Sequence, residues 1–322
     1  MHYLFKKLSA LVVTVAFVGS ASAIDLSGLD LDGSIGKGEH KYIPAISNPL
    51  FNETPYITTE LRPIYLHQKM PSNRAGLFGG SINLVAAEIR VALTDNLGII
   101  ATKDGHAWID FDNTTNTTAG VRTSDPEGLA NLSLGLKYAF HNNVENASIA
   151  TVGVEYEPPT GTLSINTALA YPLDNVDLQE SGDGFVNFFL TGAKRYEKWG
   201  FQASAGVNVA IDNDHDSSMF HYTLHADYEL TDSVYPMVSL NGFTIYDEAN
   251  RPGMTAAAVQ GFDGVDLVNI GCSNDCGTVL TAAGGIRYLI TDHVQLGLGL
   301  EKSIARQDLL DWRTYADMVI HF

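Results

Sequence analysis

The sequence predicts an all-β protein, a transmembrane antiparallel β-barrel of about 12 strands preceded by an N-terminal signal peptide. Three observations predict this fold. From Ile57 onward, apolar and polar residues alternate in segments of about ten residues, the length of a tilted membrane-spanning strand. The connections between these segments alternate between short and long, and aromatic residues concentrate near the predicted strand ends.

The chain begins with the pattern of a secretory signal peptide. Lys6 and Lys7 form a basic region, an apolar run follows, and Ala21-Ser22-Ala23 is a small-residue cleavage site. The run is too short for a spanning helix, which needs about 20 apolar residues. We therefore expect an exported chain with a signal peptide at 1–23, a periplasmic or lumenal N-terminal segment at 24–56, and a barrel at 57–322.

The segment at 24–56 is rich in glycine, then contains proline, and follows no strict period. A plug folded into the barrel, a segment lying in the periplasm and a disordered leader are all compatible with this composition. The sequence leaves the three alternatives open.

Period-two alternation marks each predicted strand, because successive side chains of a strand point to opposite faces. The pattern is clearest where Phe201, Ala203 and Ala205 share one face while Gln202 and Ser204 share the other. The predicted strands are 57–69, 81–94, 98–111, 128–141, 147–157, 184–195, 199–212, 217–229, 233–246, 278–290, 293–304 and 311–322.

A soluble antiparallel sheet would show the same alternation. The connection lengths, the aromatic strand ends and the last strand favour a membrane barrel. In that strand Met318, Ile320 and Phe322 share the lipid-side parity, similar to the C-terminal signal of bacterial outer-membrane barrels, although Asp317 stands where that signal usually has glycine. We therefore expect the bacterial cell outer membrane, with both chain ends and the short turns in the periplasm.

Composition excludes several classes of protein. The formal net charge of −18 argues against nucleic-acid binding, which needs an excess of Lys and Arg. Two cysteines are too few for a disulfide scaffold, but the C-x3-C spacing of Cys272 and Cys276 in an exported chain predicts a local disulfide rather than a zinc site. The acidic stretch 212–216 is either a solvated loop or an oxygen-rich Ca²⁺ loop.

Parity places charged side chains on the face away from lipid, because a Lys or Arg at the bilayer midplane would cost about 2–4 kcal/mol. Opposite charges inside a narrow barrel should pair. The interior is then either a polar pore with charge selectivity or a salt-bridged interior that holds the barrel rigid. The candidate selectivity residues are Glu60, Arg62, Glu88, Arg90, His221, His225, Asp227, Arg287 and Glu301.

No catalytic site, metal site or cofactor is predicted. His221 and His225 are four positions apart on one strand, about 13 Å at roughly 3.3 Å per residue, which is too far for one ion. The motif G-x-S-x-G is absent, and no serine, histidine and acid converge on the lipid-facing side.

Several segments resemble a family of bacterial outer-membrane proteins that are labelled as transporters and grouped with the phenol-degradation (MetA-pathway) family. The matching stretches are ITTELRPIYLHQ (57–68), ALTDNLGIIATKDG (92–105), LGLKYAF (134–140), EYEPPTG (155–161), HYTLHADYEL (221–230), YPMVSLNGF (235–243) and RYLITDHVQLGLGLE (287–301). The resemblance implies an outer-membrane barrel and leans toward small aromatic or hydrophobic solutes, whereas the charged interior favours polar ones.

We therefore expect passive passage of small solutes through the outer membrane. The alternative is a structural or surface-adhesion barrel with a largely closed lumen. The expected partners are outer-membrane lipid, lipopolysaccharide, a small-molecule solute and, during biogenesis, the barrel-assembly machinery.

Overall fold

The period-two segments form β-strands, and the last strand closes the sheet onto the first. The structure is a computed structural model that describes residues 31–72, 79–112, 115–116, 121–122, 125–166, 175–177, 182–250, 266–267, 271–273, 276–306 and 310–322. The predicted signal peptide at 1–23 lies outside the described residues.

The strands are β1 (Glu60–Met70), β2 (Gly80–Ala92), β3 (Leu97–Phe111), β4 (Thr115–Asn116), β5 (Val121–Arg122), β6 (Glu127–Leu129), β7 (Leu134–Asn143), β8 (Ser148–Glu157), β9 (Ser164–Asn166), β10 (Asn175–Asp177), β11 (Phe185–Tyr196), β12 (Trp199–Ala210), β13 (Ser218–Tyr228), β14 (Val234–Asp247), β15 (Thr278–Leu289), β16 (Val294–Ala305) and β17 (Trp312–His321).

In the part of the chain that the structure describes, the main sheet holds 13 strands, and all of them except the short β6 form a closed antiparallel wall of 12. Closure occurs between β1 and β17, where Glu60 pairs with His321 and Lys69 pairs with Trp312. The small hairpins β4–β5 and β9–β10 lie in connections that were predicted as loops. The predicted fold class, an antiparallel barrel of about 12 strands, is confirmed.

One predicted strand, 128–141, is interrupted and forms β6 and β7 instead. The partner strand β3 pairs with β7 up to Ile100 and with β6 from His106 onward. Between these points the pairing of β3 with β2 shifts register, so that Thr102 and Lys103 both turn inward. A β-bulge of this kind bends a strand and disrupts the adjacent ladder, which explains why one run of alternation became two strands.

The outward-facing side chains form an apolar surface. Leu134, Val238 and Leu298 are 65%, 61% and 61% exposed, while inward side chains of the same strands are buried. A continuous apolar surface of this kind marks contact with a membrane or a partner. The described residues contain no helix with the length and apolar character that a membrane span requires.

The two ends of the barrel differ. Short turns after β2, β7, β11, β13 and β15 lie at one end, which we call the short-turn end. The opposite long-loop end carries the longer connections. At the short-turn end the rings of Trp199 and Tyr228 lie 4.8 Å apart, as in the aromatic girdles of membrane barrels.

Candidate functional site in the barrel interior

The barrel contains part of the chain's own N-terminal region, residues 31–58, which we call the interior segment. Residues 42–49 and 51–58 are all buried. Near the short-turn end, Lys37 Nζ lies 2.5 Å from the Asp95 carboxylate and Lys41 Nζ lies 2.9 Å from that of Glu229. Of the region 24–56, residues 42–56 therefore lie inside the barrel, and residues 31–41 lie nearer the short-turn end, where several are exposed.

Wall side chains donate hydrogen bonds to the carbonyl oxygens of the interior segment. Arg287 Nε donates to Pro44 at 2.9 Å, and Arg62 Nη2 donates to Ala45 at 2.7 Å. Such bonds are needed because buried carbonyls without a strand partner must be satisfied by side chains. Further hydrogen bonds of this type run from Gln202 to Ile43 and from Gln295 to Tyr42, each at 3.0 Å.

Five of the predicted selectivity residues meet in one buried ion network, together with Asp317. Pairing is what makes such burial tolerable, because an isolated charge in a dry interior is costly. The wall contacts are Arg62–Glu88 at 3.2 Å, Arg90–Glu60 at 2.7 Å, Arg90–Glu88 at 2.8 Å, Arg287–Asp317 at 2.9 Å and the close pair Arg62–Asp317.

Glu53 of the interior segment joins this network. Arg90 donates to its two carboxylate oxygens at 2.9 and 2.5 Å, and Lys137 Nζ lies 2.7 Å from Oε1. Lys137 also donates to the carbonyl oxygens of Thr54 and Tyr56, at 3.1 and 2.6 Å. Within the described residues, every hydrogen bond of the Lys137 ammonium goes to the interior segment.

The pKa of Glu53, which lies outside the membrane-spanning strands, is lower than its ordinary value of 4.5. Burial by itself would raise the pKa of this carboxyl. The positive charges of Arg90 and Lys137 outweigh burial and lower the pKa to about 2. Glu53 is therefore a carboxylate at neutral pH.

His221, His225 and Asp227 lie on the inward face of β13 but do not form one site. His221 Nε2 lies 2.8 Å from the side-chain oxygen of Asn187, and Asp227 pairs with Arg195 at 2.5 Å. In the part of the chain that the structure describes, no group of His, Cys, Asp and Glu is arranged to hold a metal ion.

A serine, a histidine and an acid lie next to each other on the inward faces of β13 and β14, as in a hydrolytic triad. They are Ser239, His225 and Asp227. His225 Nδ1 lies 2.8 Å from the Ser239 hydroxyl, but His225 Nε2 is 4.0 Å from the Asp227 carboxylate. A triad needs a hydrogen bond between the histidine and its acid, and Asp227 instead contacts Arg195. The contacts therefore support a structural role for these residues.

Glu301, the remaining predicted residue, belongs to a separate group near the long-loop end. Arg313 Nε lies 3.2 Å from Glu301, and Tyr315 donates its hydroxyl hydrogen to Glu301. The terminal nitrogens of Arg313 contact Asp266, in the β14–β15 connection, at 2.8 and 3.1 Å. Burial raises the pKa of Asp266, and the charge of Arg313 opposes that rise.

The interior is apolar in one region, which corrects the expectation of a polar inward face. Aliphatic side chains of β1, β2 and β3 turn inward near the long-loop end, and the interior segment packs against them. We call this group the apolar cluster: Ile43, Ile46, Leu66, Met70, Ile82, Leu84, Ala86, Ala107, Ile109, Leu163, Tyr235, Met237 and Tyr315. Both faces of β2 are apolar around Val85, so polarity alone does not distinguish inside from outside there.

Side chains bridge the interrupted ladder between β3 and β7. Ser133 Oγ accepts hydrogen bonds from the backbone N–H groups of Thr102 and Lys103, each at 3.1 Å. Ser133 Oγ and Thr102 Oγ1 also donate to Oε1 of Glu155, at 2.7 and 2.6 Å. The wall has fewer backbone hydrogen bonds here than in its continuous ladders, so fewer of them must break for the two strands to separate locally.

Cys272 and Cys276 are joined by a disulfide in the β14–β15 connection. The carbonyl of Cys272 accepts a hydrogen bond from Ala249 N at 2.7 Å. In the acidic stretch 212–216, a hydrogen bond from the backbone of Asp214 and a contact with His215 lower the pKa of Asp212. The Asp212 carboxylate therefore has its partners within its own loop, whereas the Asp214 carboxylate accepts a hydrogen bond from Asn250 in the β14–β15 connection at 3.2 Å.

Sequence reasoning missed the contact between Glu53 and Lys137. Parity places Lys137 inside the barrel, but Glu53 lies in a segment without a period, so no pattern indicates its position. One available signal is charge: a lysine on an inward strand face requires an acid as its partner.

No family model matches the chain, and no curated protein matches its sequence. The resemblance to the phenol-degradation family therefore stays a prediction. Among solved structures, the chain is similar to the COG4313 outer membrane channel from Pseudomonas putida F1, with a TM-score of 0.59 and 16% identity, covering 88% of this chain and 100% of that one. The NanC porin (TM-score 0.45, 6% identity, 82% of this chain and 99% of that one) and the KdgM porin (TM-score 0.44, 10% identity, 81% and 99%) are more distant. The similarity to the first of these structures shows that the chain has the β-barrel fold of a bacterial outer-membrane channel.

Proposed function

We propose that the chain is an outer-membrane channel for small aromatic or hydrophobic solutes, with its short-turn end in the periplasm. The apolar outer surface and the barrel fold support the location, where the wall would contact membrane lipid and lipopolysaccharide. The observation that carries the solute class is the apolar cluster, which lies beside the interrupted ladder between β3 and β7.

The proposed route enters at the long-loop end and passes the apolar cluster. A solute that buries apolar surface there gains about 25 cal/mol per Å². Straight axial passage would meet the ion network and the buried interior segment, where an apolar solute finds charged and hydrogen-bonded groups. The interrupted ladder at Thr102 and Ser133 offers a sideways exit into lipid instead.

Uptake of the hydrophobic fluorophore N-phenyl-1-naphthylamine by intact Gram-negative cells tests this route. Cells producing the chain should take up the fluorophore faster than cells with an empty vector. A cross-link between Thr102→Cys and Ser133→Cys should slow uptake, because the side chains replaced contact the same oxygen of Glu155 from the two sides of the gap. A reducing agent should restore it.

A matched cross-link controls for the effect of a second disulfide. Leu190→Cys and Ala205→Cys are paired directly on the continuous ladder of β11 and β12. This cross-link should leave uptake unchanged. Uptake no faster than in empty-vector cells, or equal sensitivity to both cross-links, would contradict the sideways route.

The filled interior favours a second candidate, a structural or surface-adhesion barrel. Its supporting observation is the buried ion network that joins the interior segment to the wall. This candidate predicts no fluorophore uptake and no steady single-channel conductance from the folded chain in a planar bilayer. The channel proposal predicts faster fluorophore uptake, and uptake rather than conductance separates the two candidates, because a sideways route into lipid needs no continuous aqueous path for ions.

A further inference from the structure

We infer that Arg90 and Lys137 form a carboxylate-binding site next to the interrupted ladder, at the inner end of the proposed route, and that Glu53 occupies this site as a tethered ligand which an aromatic acid displaces. The inference rests on the proposed function, because it concerns solutes that enter the barrel. It narrows their class from small aromatic compounds in general to those that carry a carboxylate.

The charge balance of the ion network is the first argument. Among the described residues, the wall contributes to this network four cations, Arg62, Arg90, Lys137 and Arg287, but three acids, Glu60, Glu88 and Asp317. Glu53 supplies the fourth acid from the interior segment. If the segment moves away, one buried positive charge is left in excess, which is strongly unfavourable. An anionic solute restores the balance, whereas a neutral one does not.

The geometry of the donors is the second argument. Arg90 makes a bidentate contact with the Glu53 carboxylate, and Lys137 donates one hydrogen bond to the same carboxylate. The hydroxyls of Thr191 and Thr151 donate beside them, to the carbonyls of Glu53 and Pro55 at 2.9 and 2.6 Å. These four donors come from four different wall strands, β2, β7, β8 and β11, and each of them donates at least one hydrogen bond to the interior segment. Arginine forks of this kind suit carboxylates.

The groups beside Glu53 give the third argument, which concerns the aromatic part of the ligand. Tyr56 lies three positions after Glu53 and packs in a small buried cluster with Ile57, Ala92 and Ala139. The interior segment thus presents a carboxylate and an aromatic ring to neighbouring parts of the wall. An aromatic acid carries the same two groups.

Tethering explains why the resting site is closed. A ligand attached to the same chain acts at an effective concentration on the order of millimolar, so a free solute must compete with it. Glu53→Gln removes the competing charge while keeping nearly the same side-chain volume. The variant should therefore bind a free aromatic carboxylate more tightly than the unmodified chain does.

Isothermal titration of the full folded chain with benzoate and with phenol tests the inference. Benzoate should bind Glu53→Gln at least about tenfold more tightly than it binds the unmodified chain. Phenol, which carries the ring without the carboxylate, should show no such gain. Glu39→Gln, an exposed acid on the same segment, should leave both affinities unchanged. Adding Lys137→Met to Glu53→Gln should abolish the gain for benzoate.

An equal gain for both ligands would overturn the inference, because it would show that the substitution only loosens the barrel. No gain for benzoate in a folded Glu53→Gln chain would also overturn it. If that variant does not fold, benzoate should accelerate maleimide labelling of a Ser47→Cys chain that retains Glu53, and phenol should not. Equal rates with the two ligands would then count against the site. The two proposals can fail separately. Failure of fluorophore uptake in cells would contradict the proposed function, whereas the titration with benzoate tests only the carboxylate site.

Discussion

The ammonium of Lys137 lies 2.7 Å from the carboxylate of Glu53, although the two residues are 84 positions apart. One belongs to the wall strand β7 and the other to the interior segment. Since the hydrogen bonds of Lys137 within the described residues all lead to that segment, this contact joins the two parts of the protein directly.

Lys137→Met should destabilise the folded barrel by about 3 kcal/mol, because removing one partner of a buried ion pair leaves the other charge poorly compensated. Arg90 still contacts Glu53, which limits the loss. The free energy of unfolding in urea, measured in lipid vesicles, checks the value. The double variant Lys137→Met with Glu53→Gln should lose less than the sum of the single losses. Strict additivity would show that the two residues do not interact.

Lys194→Met is the matched control for that measurement. Lys194 is exposed on the outer face of β11, where it donates to the carbonyl of Asn146. Its substitution should change the free energy of unfolding by no more than about 0.5 kcal/mol.

The burial of the interior segment predicts slow labelling of a cysteine placed in it. Ser47 is 3% exposed, whereas Glu39 is exposed near the short-turn end. A maleimide should modify Ser47→Cys at least about tenfold more slowly than Glu39→Cys in the folded chain, because reaction requires local opening. The rates should become equal in urea. The two native cysteines are joined to each other and should not react. Equal rates in the folded chain would place the segment outside the barrel.

The lowered pKa of Glu53 predicts a loss of stability in acid. Its folded-state pKa of about 2 lies below the ordinary value of 4.5, so the ionised carboxylate stabilises the folded state. This contribution is fully present above pH 4.5 and is lost as the pH falls toward about 2. The difference in free energy of unfolding between the unmodified chain and Glu53→Gln should therefore shrink between pH 5 and roughly pH 2. A difference independent of pH would contradict this assignment.

Gly153 provides a test of packing inside the wall. A Cβ atom at this position would lie 2.1 Å from the buried ring of Phe189 on the next strand. Gly153→Ala should therefore destabilise the barrel by about 1–3 kcal/mol, since the ring must leave its position. Gly284→Ala is the control, because the nearest atom to its Cβ would be 4.0 Å away. Equal midpoints of urea unfolding for the two variants would show that the Phe189 ring adapts without cost.

The alternation of residues from Ile57 onward determined the fold class. In a membrane barrel each side chain faces either lipid or the interior, and the penalty for a charge in lipid enforces that choice residue by residue. Strand number, the inward position of residues such as Arg62 and Arg287, and the short turns follow from this local rule. The division of 128–141 into β6 and β7 does not follow from the alternation, because the bulge at Thr102 and Lys103 depends on how β3 pairs with β2.

The tertiary structure alone decided what fills the barrel and which charges meet. The interior segment has no period, and its path is held by hydrogen bonds from wall side chains to its carbonyl groups, which any residue type carries. Glu53 reaches Arg90 and Lys137 only because closure of β17 onto β1 brings distant strands around one space. A local pattern reports which face a residue occupies. Its partner across the barrel depends on closure, which is a property of the whole chain.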